Sequence, residues 1–154
     1  MSGILILGAG RSSSSLISYL QKKARDNNWP LTVGDYSLDA ARDRLAPLGY
    51  GTAMRFDIHD QMLSSATIAE ADVVVSLMPA HLHLEVAQQC LIHGKHLLTA
   101  SYITHEMNAL DAEARSKDLL FLNECGLDPG IDHMSAMQVI ERIRDQGGKL
   151  LSFE

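Results

Sequence analysis

The stretch ILILGAGRSSSS, residues 4–15, decides the fold of this chain. Its four leading apolar residues predict a short buried strand, and Gly8 directly after them allows a tight turn. Gly10 lacks a Cβ atom, so a pyrophosphate can approach the main chain there, and the first N–H groups of the following helix would point at the anion. Ser13 occupies the place of the third glycine that usually completes such a turn. The stretch therefore predicts the phosphate-binding turn of a dinucleotide-binding fold.

Length and composition predict one globular domain over residues 1–154, since 46% of the residues are hydrophobic and 21% are charged. The net charge of −6 argues against partners such as nucleic acid or an anionic membrane. No apolar run approaches the roughly 20 residues of a membrane span, and we expect no signal peptide either. Cys90 and Cys125 are far apart and form no CxxC motif, which is typical of reduced thiols in a cytoplasmic protein.

Strand-like and helix-like segments alternate along the chain. The predicted strands cover residues 3–7, 31–35, 52–57, 72–79, 95–100 and 119–123. The predicted helices cover about 12–26, 40–48, a segment capped by Asp60, 81–93, 104–117 and a last segment that ends near Arg144. This alternation predicts an α/β fold with a doubly wound, mostly parallel sheet and helices on both faces, as in Rossmann-type domains. Residues 147–154 indicate a turn and a strand that has only just begun, from which we expect a longer protein.

The second predicted strand ends on an acidic residue, Asp35, 25 residues after Gly10. A carboxylate there accepts hydrogen bonds from the adenosine ribose and disfavours a 2′-phosphate, so NAD is predicted in preference to NADP. Arg11, Ser37 and Arg42 are near enough in sequence to help bind a phosphate, and Asp35 could instead serve as a helix cap or a turn residue.

Two later strand ends complete the predicted cofactor site. Asp57 is placed to touch the adenine, although it could equally cap the next turn. Met78 and Pro79 end the fourth predicted strand, beside the place where the nicotinamide half of a dinucleotide normally lies. Pro79 stops the strand and would hold the main chain near the cofactor.

The loop ECGLDPGIDH, residues 124–133, gathers ionisable side chains after the sixth predicted strand. The carboxyl edge of a parallel sheet is where a substrate is expected, and Asp128 within the loop is the best candidate to bind a substrate amine. Asp132 could simply cap the helix that follows. Ser101 and Tyr102 follow the fifth predicted strand at the same edge, where their hydroxyl groups could reach a ligand.

The histidines do not predict a metal site. They lack a third ligand at a recognisable spacing, and we expect structural or surface roles for His81, His83, His93 and His96. A nucleophilic role for Cys125 is also disfavoured, because no base is identifiable beside it.

Three motifs together resemble the saccharopine dehydrogenase family, most closely its glutamate-forming branch. They are GLDPGIDH at 126–133, TASYI at 99–103 and SLMP at 76–79. The resemblance implies an oxidoreductase that uses a nicotinamide cofactor to form saccharopine from 2-aminoadipate semialdehyde and glutamate, or runs the reverse reaction, in lysine metabolism. It further implies a later substrate domain, which this sequence lacks and through which a homodimer could form. The chain alone should then bind cofactor and catalyse nothing.

The resemblance also implies roles for individual residues. The implied substrate contacts are Ser101, Tyr102 and Asp128, with Asp128 as the catalytic residue. The implied cofactor contacts are Arg11, Ser12, Ser13, Ser14, Tyr36, Ser37, Leu38, Asp57, Ile58, Met78, Ala100, Ser101, Leu127, Asp128, Pro129 and Gly130. NADP-using members carry an arginine where this chain has Tyr36, which again favours NAD.

Other functions stay open at this point. Lysine 6-dehydrogenases and carboxynorspermidine-forming enzymes belong to the same family and act on other amines. Pro79, His83 and residues 87–96 also resemble sugar-oxidising dehydrogenases of the glucose–fructose oxidoreductase type. Those enzymes, however, use a Glu-Lys-Pro sequence where this chain has residues 99–101. A non-catalytic NAD(H)-sensing module, like the regulatory domains of potassium channels, would explain a small dinucleotide-binding unit but gives no reason for the loop at 124–133.

Overall fold

The computed structural model describes residues 3–152, which form a six-stranded parallel sheet of order β3-β2-β1-β4-β5-β6. The strands are β1 Ile4–Leu7, β2 Leu31–Asp35, β3 Thr52–Arg55, β4 Val73–Ser76, β5 His96–Thr99 and β6 Phe121–Leu122. The helices are α1 Ser14–Asn27, α2 Leu38–Leu45, α3 Gln61–Glu70, α4 His83–His93, α5 His105–Ala109, α6 Asp111–Ser116 and α7 Ile131–Asp145. This alternation of parallel strands and helices confirms the predicted α/β fold. Within residues 3–152, no helix combines the length and the apolar character needed to cross a membrane.

Helices cover both faces of the sheet because the central strands are apolar on both sides. Leu5 of β1 packs in one buried cluster with Ile68 of α3. The next residue, Ile6, points to the opposite face and packs in a second cluster with Ile17 of α1. All strands run in one direction, so their carboxyl ends share one edge, and the strand order reverses between β1 and β4. A doubly wound sheet binds ligands at that reversal.

Several predicted elements are shorter than the sequence indicates. β4 ends at Ser76, before Pro79, which has no N–H group with which to continue the ladder. The predicted helix over 104–117 is divided at Leu110 into α5 and α6, and β6 has only two residues. Residues 148–152 are not in a strand, and the rest of the strand predicted after Gly147 lies outside the described residues.

Two helix starts next to the site are held by side-chain caps. The Ser37 hydroxyl accepts a hydrogen bond from the Ala40 N–H at 3.3 Å and begins α2. The Asp60 carboxylate accepts from the Leu63 N–H at 3.1 Å and begins α3, which confirms its predicted cap. These caps direct the chain away from the carboxyl ends of β2 and β3 and leave that edge of the sheet open.

Candidate functional site

The turn after β1 contains two glycines with different roles. Gly8 has a φ of +106°, and a Cβ atom there would lie 2.8 Å from the carbonyl oxygen of Leu77 on the neighbouring chain segment. Its N–H donates to the Gly34 carbonyl at 2.8 Å, which ties the turn to β2. A Cβ atom on Gly10, in contrast, would meet no atom of residues 3–152 within 4 Å. Gly8 therefore shapes the turn, and Gly10 leaves open space where the sequence predicts the pyrophosphate.

A short 3-10 helix, Arg11–Ser13, leads from the turn into α1. Its N-cap residue is Gly10, which has no side chain to cap the first N–H groups, so these remain available to an anion. Ser13 is fully buried, and its hydroxyl donates to the Gly10 carbonyl at 2.7 Å. Ser13 thus fills the packing position of the missing third glycine, while Arg11 and Ser12 are exposed beside the turn.

The carboxylate of Asp35 braces the main chain on both sides of the site. Its Oδ2 atom accepts from the Ala9 N–H at 2.7 Å, and its Oδ1 atom accepts from the Ser37 N–H at 2.8 Å. The bond to Ser37 is the turn role that the sequence allows for Asp35, whereas the bond to Ala9, which joins the glycine turn to the end of β2, is one that the sequence does not reveal. Each carboxylate oxygen has a further lone pair and can still accept a hydrogen bond from a ribose hydroxyl. That contact stays a prediction.

A cleft of about 580 Å³ lies outside the carboxyl ends of β1 to β4. Eight residues that the sequence assigns to the cofactor line it, namely Gly8, Gly10, Asp35, Tyr36, Asp57, Ile58, Met78 and Pro79. Five further lining residues carry no such assignment, namely Gly34, Phe56, His59, Leu77 and Leu82. All of these five except Leu82 are directly next to an assigned residue in the sequence. Extending each assignment by one residue would therefore have predicted four of them.

This cleft fits a nicotinamide dinucleotide. It joins the open glycine turn to the acidic ends of β2 and β3 and to Met78 after β4, across the point where the strand order reverses. The apolar walls and few polar groups also suit the adenine and nicotinamide rings. The remaining assigned residues lie outside the cleft, and their cofactor contacts stay predictions: Arg11, Ser12, Ser13, Ser14, Ser37, Leu38, Ala100, Ser101, Leu127, Asp128, Pro129 and Gly130.

His83 connects the end of β4 to the segment after β5. Its Nδ1 atom lies 2.8 Å from the Ser76 hydroxyl, and its Nε2 atom lies 2.9 Å from the Ser101 hydroxyl. His83 is only 4% exposed, and this burial lowers its pKa below the ordinary value, with His81 lowering it further. The ring is therefore neutral at pH 7, and the sequence assigned it nothing more than a structural or surface role.

The loop after β6 folds back against the end of β5. The Cys125 N–H donates to the Thr99 carbonyl and the Glu124 N–H to the Ser101 carbonyl, each at 3.1 Å. The approach is close, because a Cβ atom on Gly126 would lie 2.8 Å from the Ala100 carbonyl oxygen. The loop and the segment after β5 therefore form one edge, as the sequence predicts for a substrate site.

Tyr102 and Asp128 meet at this edge, where the Tyr102 hydroxyl donates a hydrogen bond to the Asp128 carboxylate. That bond, with lesser contributions from other nearby carboxylates, raises the pKa of Tyr102 to about 12. Asp132 accepts from the Gly130 N–H at 2.9 Å and from His133 at 2.8 Å, and its hydrogen bond raises the pKa of His133. Asp132 thus stabilises the first turn of α7, which leaves Asp128 as the carboxylate that faces Tyr102.

Ligand atoms of Asp128, Asp132 and His133 lie within 4.8 Å of one another. The bonds of Asp132 to its own helix start account for this arrangement, and it carries no argument for a metal. Two of the other histidines have hydrogen-bond partners on neighbouring parts of the fold. His93 lies 2.8 Å from the Ser65 hydroxyl, and His96 accepts from the Leu120 N–H at 3.0 Å.

Known proteins resemble the chain along almost its whole length. The family model described as the saccharopine dehydrogenase NADP binding domain matches residues 4–122. The chain is 33% identical over 153 residues to saccharopine dehydrogenase (NADP(+), L-glutamate-forming) of Schizosaccharomyces pombe, covering 99% of this chain and 33% of that protein. It is 35% identical over 169 residues to alpha-aminoadipic semialdehyde synthase of Arabidopsis thaliana, covering 99% of this chain and 16% of that protein.

A solved structure agrees with these relatives. Apo saccharopine dehydrogenase (L-Glu forming) from Saccharomyces cerevisiae superposes with a TM-score of 0.82 and is 31% identical, covering 99% of this chain and 33% of that one. The chain therefore spans a third or less of the length of these relatives. The family resemblance inferred from three motifs is confirmed by the match over residues 4–122. This chain belongs to the saccharopine dehydrogenase family.

Proposed function

We propose that the chain is the cofactor-binding part of an oxidoreductase that interconverts saccharopine with glutamate and 2-aminoadipate semialdehyde. One observation carries the proposal: the Tyr102–Asp128 pair and Ser101 lie together at the sheet edge, in a chain related over 99% of its length to a saccharopine dehydrogenase. In a protein of the relatives' length, residues 1–154 would form the dinucleotide-binding unit, and the remaining chain would complete the substrate site and any dimer.

The nicotinamide ring supplies hydride transfer to or from the carbon of a carbon–nitrogen bond. This chain's residues bind and orient the reactants rather than forming a covalent bond to them. Asp128 is exposed, and its negative charge suits a substrate ammonium group. Tyr102 is protonated at neutral pH, as an ordinary tyrosine is, and its hydrogen bond to Asp128 raises its pKa further, to about 12. Its hydroxyl therefore acts as a hydrogen-bond donor that holds the Asp128 carboxylate.

Replacing Asp128 with alanine in an enzyme that carries the substrate domain should lower kcat/KM for saccharopine about 100-fold, as expected for loss of a charged, positioned contact. Affinity for the dinucleotide should change less than about threefold, because the Asp128 carboxylate suits a cationic substrate group rather than an anionic dinucleotide. Steady-state kinetics and a separate fluorescence titration of the dinucleotide measure the two effects. Asp43→Ala, an exposed carboxylate on α2, is the control. Equal losses of affinity and turnover would contradict the role of Asp128, and oxidation of lysine but not saccharopine would contradict the proposed substrate.

We further propose that NADP(H) is bound at least as tightly as NAD(H). The family model and the S. pombe relative are both named for NADP. The Asp35 carboxylate is already engaged by two main-chain N–H groups. Arg55 pairs with Asp35 in the β2–β3 register, and its guanidinium lies 5.1 Å from the centre of the Tyr36 ring. Arg55 can therefore supply the positive charge that other members carry at the position of Tyr36.

Replacing Arg55 with alanine should weaken NADPH binding about 10- to 100-fold, since hydrogen bonds to a phosphate from a guanidinium are worth roughly 1.5–3 kcal/mol. NADH binding should change little, because NADH lacks the 2′-phosphate. Fluorescence titration of both dinucleotides with the 154-residue chain measures the difference. Arg25→Ala in the last turn of α1 is the matched control. Tighter binding of NADH than of NADPH by the unmodified chain would instead support the NAD preference that Asp35 predicts.

A further inference from the structure

The Ser76–His83–Ser101 group connects three elements by hydrogen bonds between side chains. Ser76 is the last residue of β4, His83 begins α4, and Ser101 follows β5 by two residues. Ser76 is fully buried and His83 nearly so, whereas Ser101 is half-buried at the edge of the sheet. The imidazole thus joins an interior hydroxyl to a half-buried one at the edge of the sheet.

A neutral imidazole has one donor and one acceptor nitrogen, so its tautomer decides the direction of both hydrogen bonds. Within residues 3–152, His83 Nδ1 is the hydrogen-bond partner of the Ser76 hydroxyl oxygen. If Nδ1 carried the hydrogen, the buried Ser76 hydroxyl hydrogen would need a different acceptor, and an unpaired buried donor is costly. If Nε2 carries the hydrogen, Ser76 donates to Nδ1 and Nε2 donates to Ser101. The second arrangement gives a partner to both ring nitrogens and to the buried Ser76 hydroxyl hydrogen, and it leaves the Ser101 hydroxyl hydrogen free for another acceptor.

We propose that His83 is a positioning residue that donates from Nε2 to the Ser101 hydroxyl oxygen, so that the Ser101 hydrogen is directed at an acceptor oxygen of the bound dinucleotide. The acceptor would be a carbonyl oxygen, and the nicotinamide carboxamide has that chemistry. This inference rests on the proposed function, because it assumes that a nicotinamide dinucleotide occupies the site. It assigns to α4 a contribution that the three family motifs do not contain.

The geometry explains why a histidine is suited to this position. The imidazole spans the distance from Ser76 to Ser101 with a nitrogen at each end, 2.8 and 2.9 Å from the two hydroxyl oxygens. An asparagine side chain places its amide near the position of Nδ1, and a glutamine side chain places it near the position of Nε2. Asparagine at residue 83 can therefore keep the contact with Ser76 but not the contact with Ser101, and glutamine can keep the contact with Ser101 but not the contact with Ser76. Both variants keep a polar side chain at this position.

The test combines one spectroscopic measurement with this pair of variants. In the 154-residue chain labelled with 15N, long-range 1H–15N correlation spectra should show His83 with its hydrogen on Nε2, both free and with NADPH. His83→Gln should keep the NADPH dissociation constant within about threefold, whereas His83→Asn should weaken it about 10-fold. Ser101→Ala should weaken it by the same factor, and His83→Asn combined with Ser101→Ala should be no weaker than either alone.

Three results would overturn the proposal: a hydrogen on Nδ1, equal effects of His83→Asn and His83→Gln, or additive losses in the combined variant. Thermal unfolding of each variant identifies a purely structural defect, and the tautomer of the unmodified chain decides the matter even where a variant does not fold. If the unmodified chain binds neither NADPH nor NADH, the proposed function fails. The spectrum without ligand then still decides whether His83 donates to Ser101.

Discussion

Replacing Gly8 with alanine should destabilise the fold by about 3 kcal/mol, a large effect for the addition of a single methyl group. Two costs add at this position. The φ of +106° is disfavoured for any residue with a Cβ atom, at roughly 1–3 kcal/mol. The new methyl would also lie 2.8 Å from the Leu77 carbonyl oxygen, which belongs to the main chain beside the central strand and cannot easily move. Because about 1 kcal/mol shifts Tm by roughly 2–4 °C for a chain of this size, Tm should fall by about 6–12 °C.

Gly94→Ala separates the two costs. Gly94 ends α4 with a φ of +64°, and a Cβ atom there would meet none of the described residues within 4 Å. Alanine at this position should cost roughly 1 kcal/mol, the conformational term alone. Calorimetry or denaturant unfolding of both variants measures the difference. Equal destabilisation by the two substitutions would show that the contact with Leu77 has no effect on stability.

The parts of the fold that the sequence predicts are those controlled by neighbouring residues. The alternating strands and helices, the turn at residues 4–15 and the cap at Asp60 each depend on local pattern, and all appear in the structure. The division of the sheet into two apolar faces follows from the apolar character of β1 and β4. Local pattern was thus sufficient for the fold and for the edge of the sheet that carries the site.

The roles that the sequence does not reveal depend on contacts between distant elements. His83 acts through Ser76 and Ser101, which are separated from it by 7 and 18 positions. The Gln21 side chain is fully buried and donates to the Leu45 and Tyr50 carbonyls, each at 2.9 Å, so it joins α1 to the last residue of α2 and to the segment that follows. A polar residue on an apolar helix face gives no indication of its partner. These contacts follow only from the assembled sheet.

The same limit applies to the cofactor preference. Asp35 at the end of β2 is a recognised signal for NAD, but its carboxylate also holds the Ala9 and Ser37 N–H groups in place. A residue with a structural role can be present for that reason alone, so its identity no longer discriminates between the two cofactors. Arg55 lies on a different strand, 20 positions along the chain, and becomes relevant only through the β2–β3 register. The preference therefore has to be measured.

Replacing Gly10 with valine should have the opposite outcome to Gly8→Ala, because it should abolish dinucleotide binding while leaving the fold intact. Gly10 has φ −66° and ψ −174°, which any residue can adopt, and a Cβ atom there would meet nothing within 4 Å in the part of the chain that the structure describes. The free energy of unfolding should therefore change by less than about 0.5 kcal/mol. The branched side chain would fill the space where the pyrophosphate approaches the main chain, and the NADPH dissociation constant should rise at least 100-fold, or about 2.7 kcal/mol.

Fluorescence titration with NADPH and thermal unfolding of the same samples measure the two quantities. Gly10→Ala provides a graded control, since a single methyl occupies less of the space and should weaken binding by an intermediate factor. Gly10→Val with unchanged affinity would show that the phosphates do not pass this glycine, and the cleft would then have to bind its ligand at the β2–β3 end alone. A loss of stability equal to that of Gly8→Ala would show that the space beside Gly10 is not free. The contrast matters because the two glycines lie in one turn, yet one is required by the protein's own main chain and the other by its ligand.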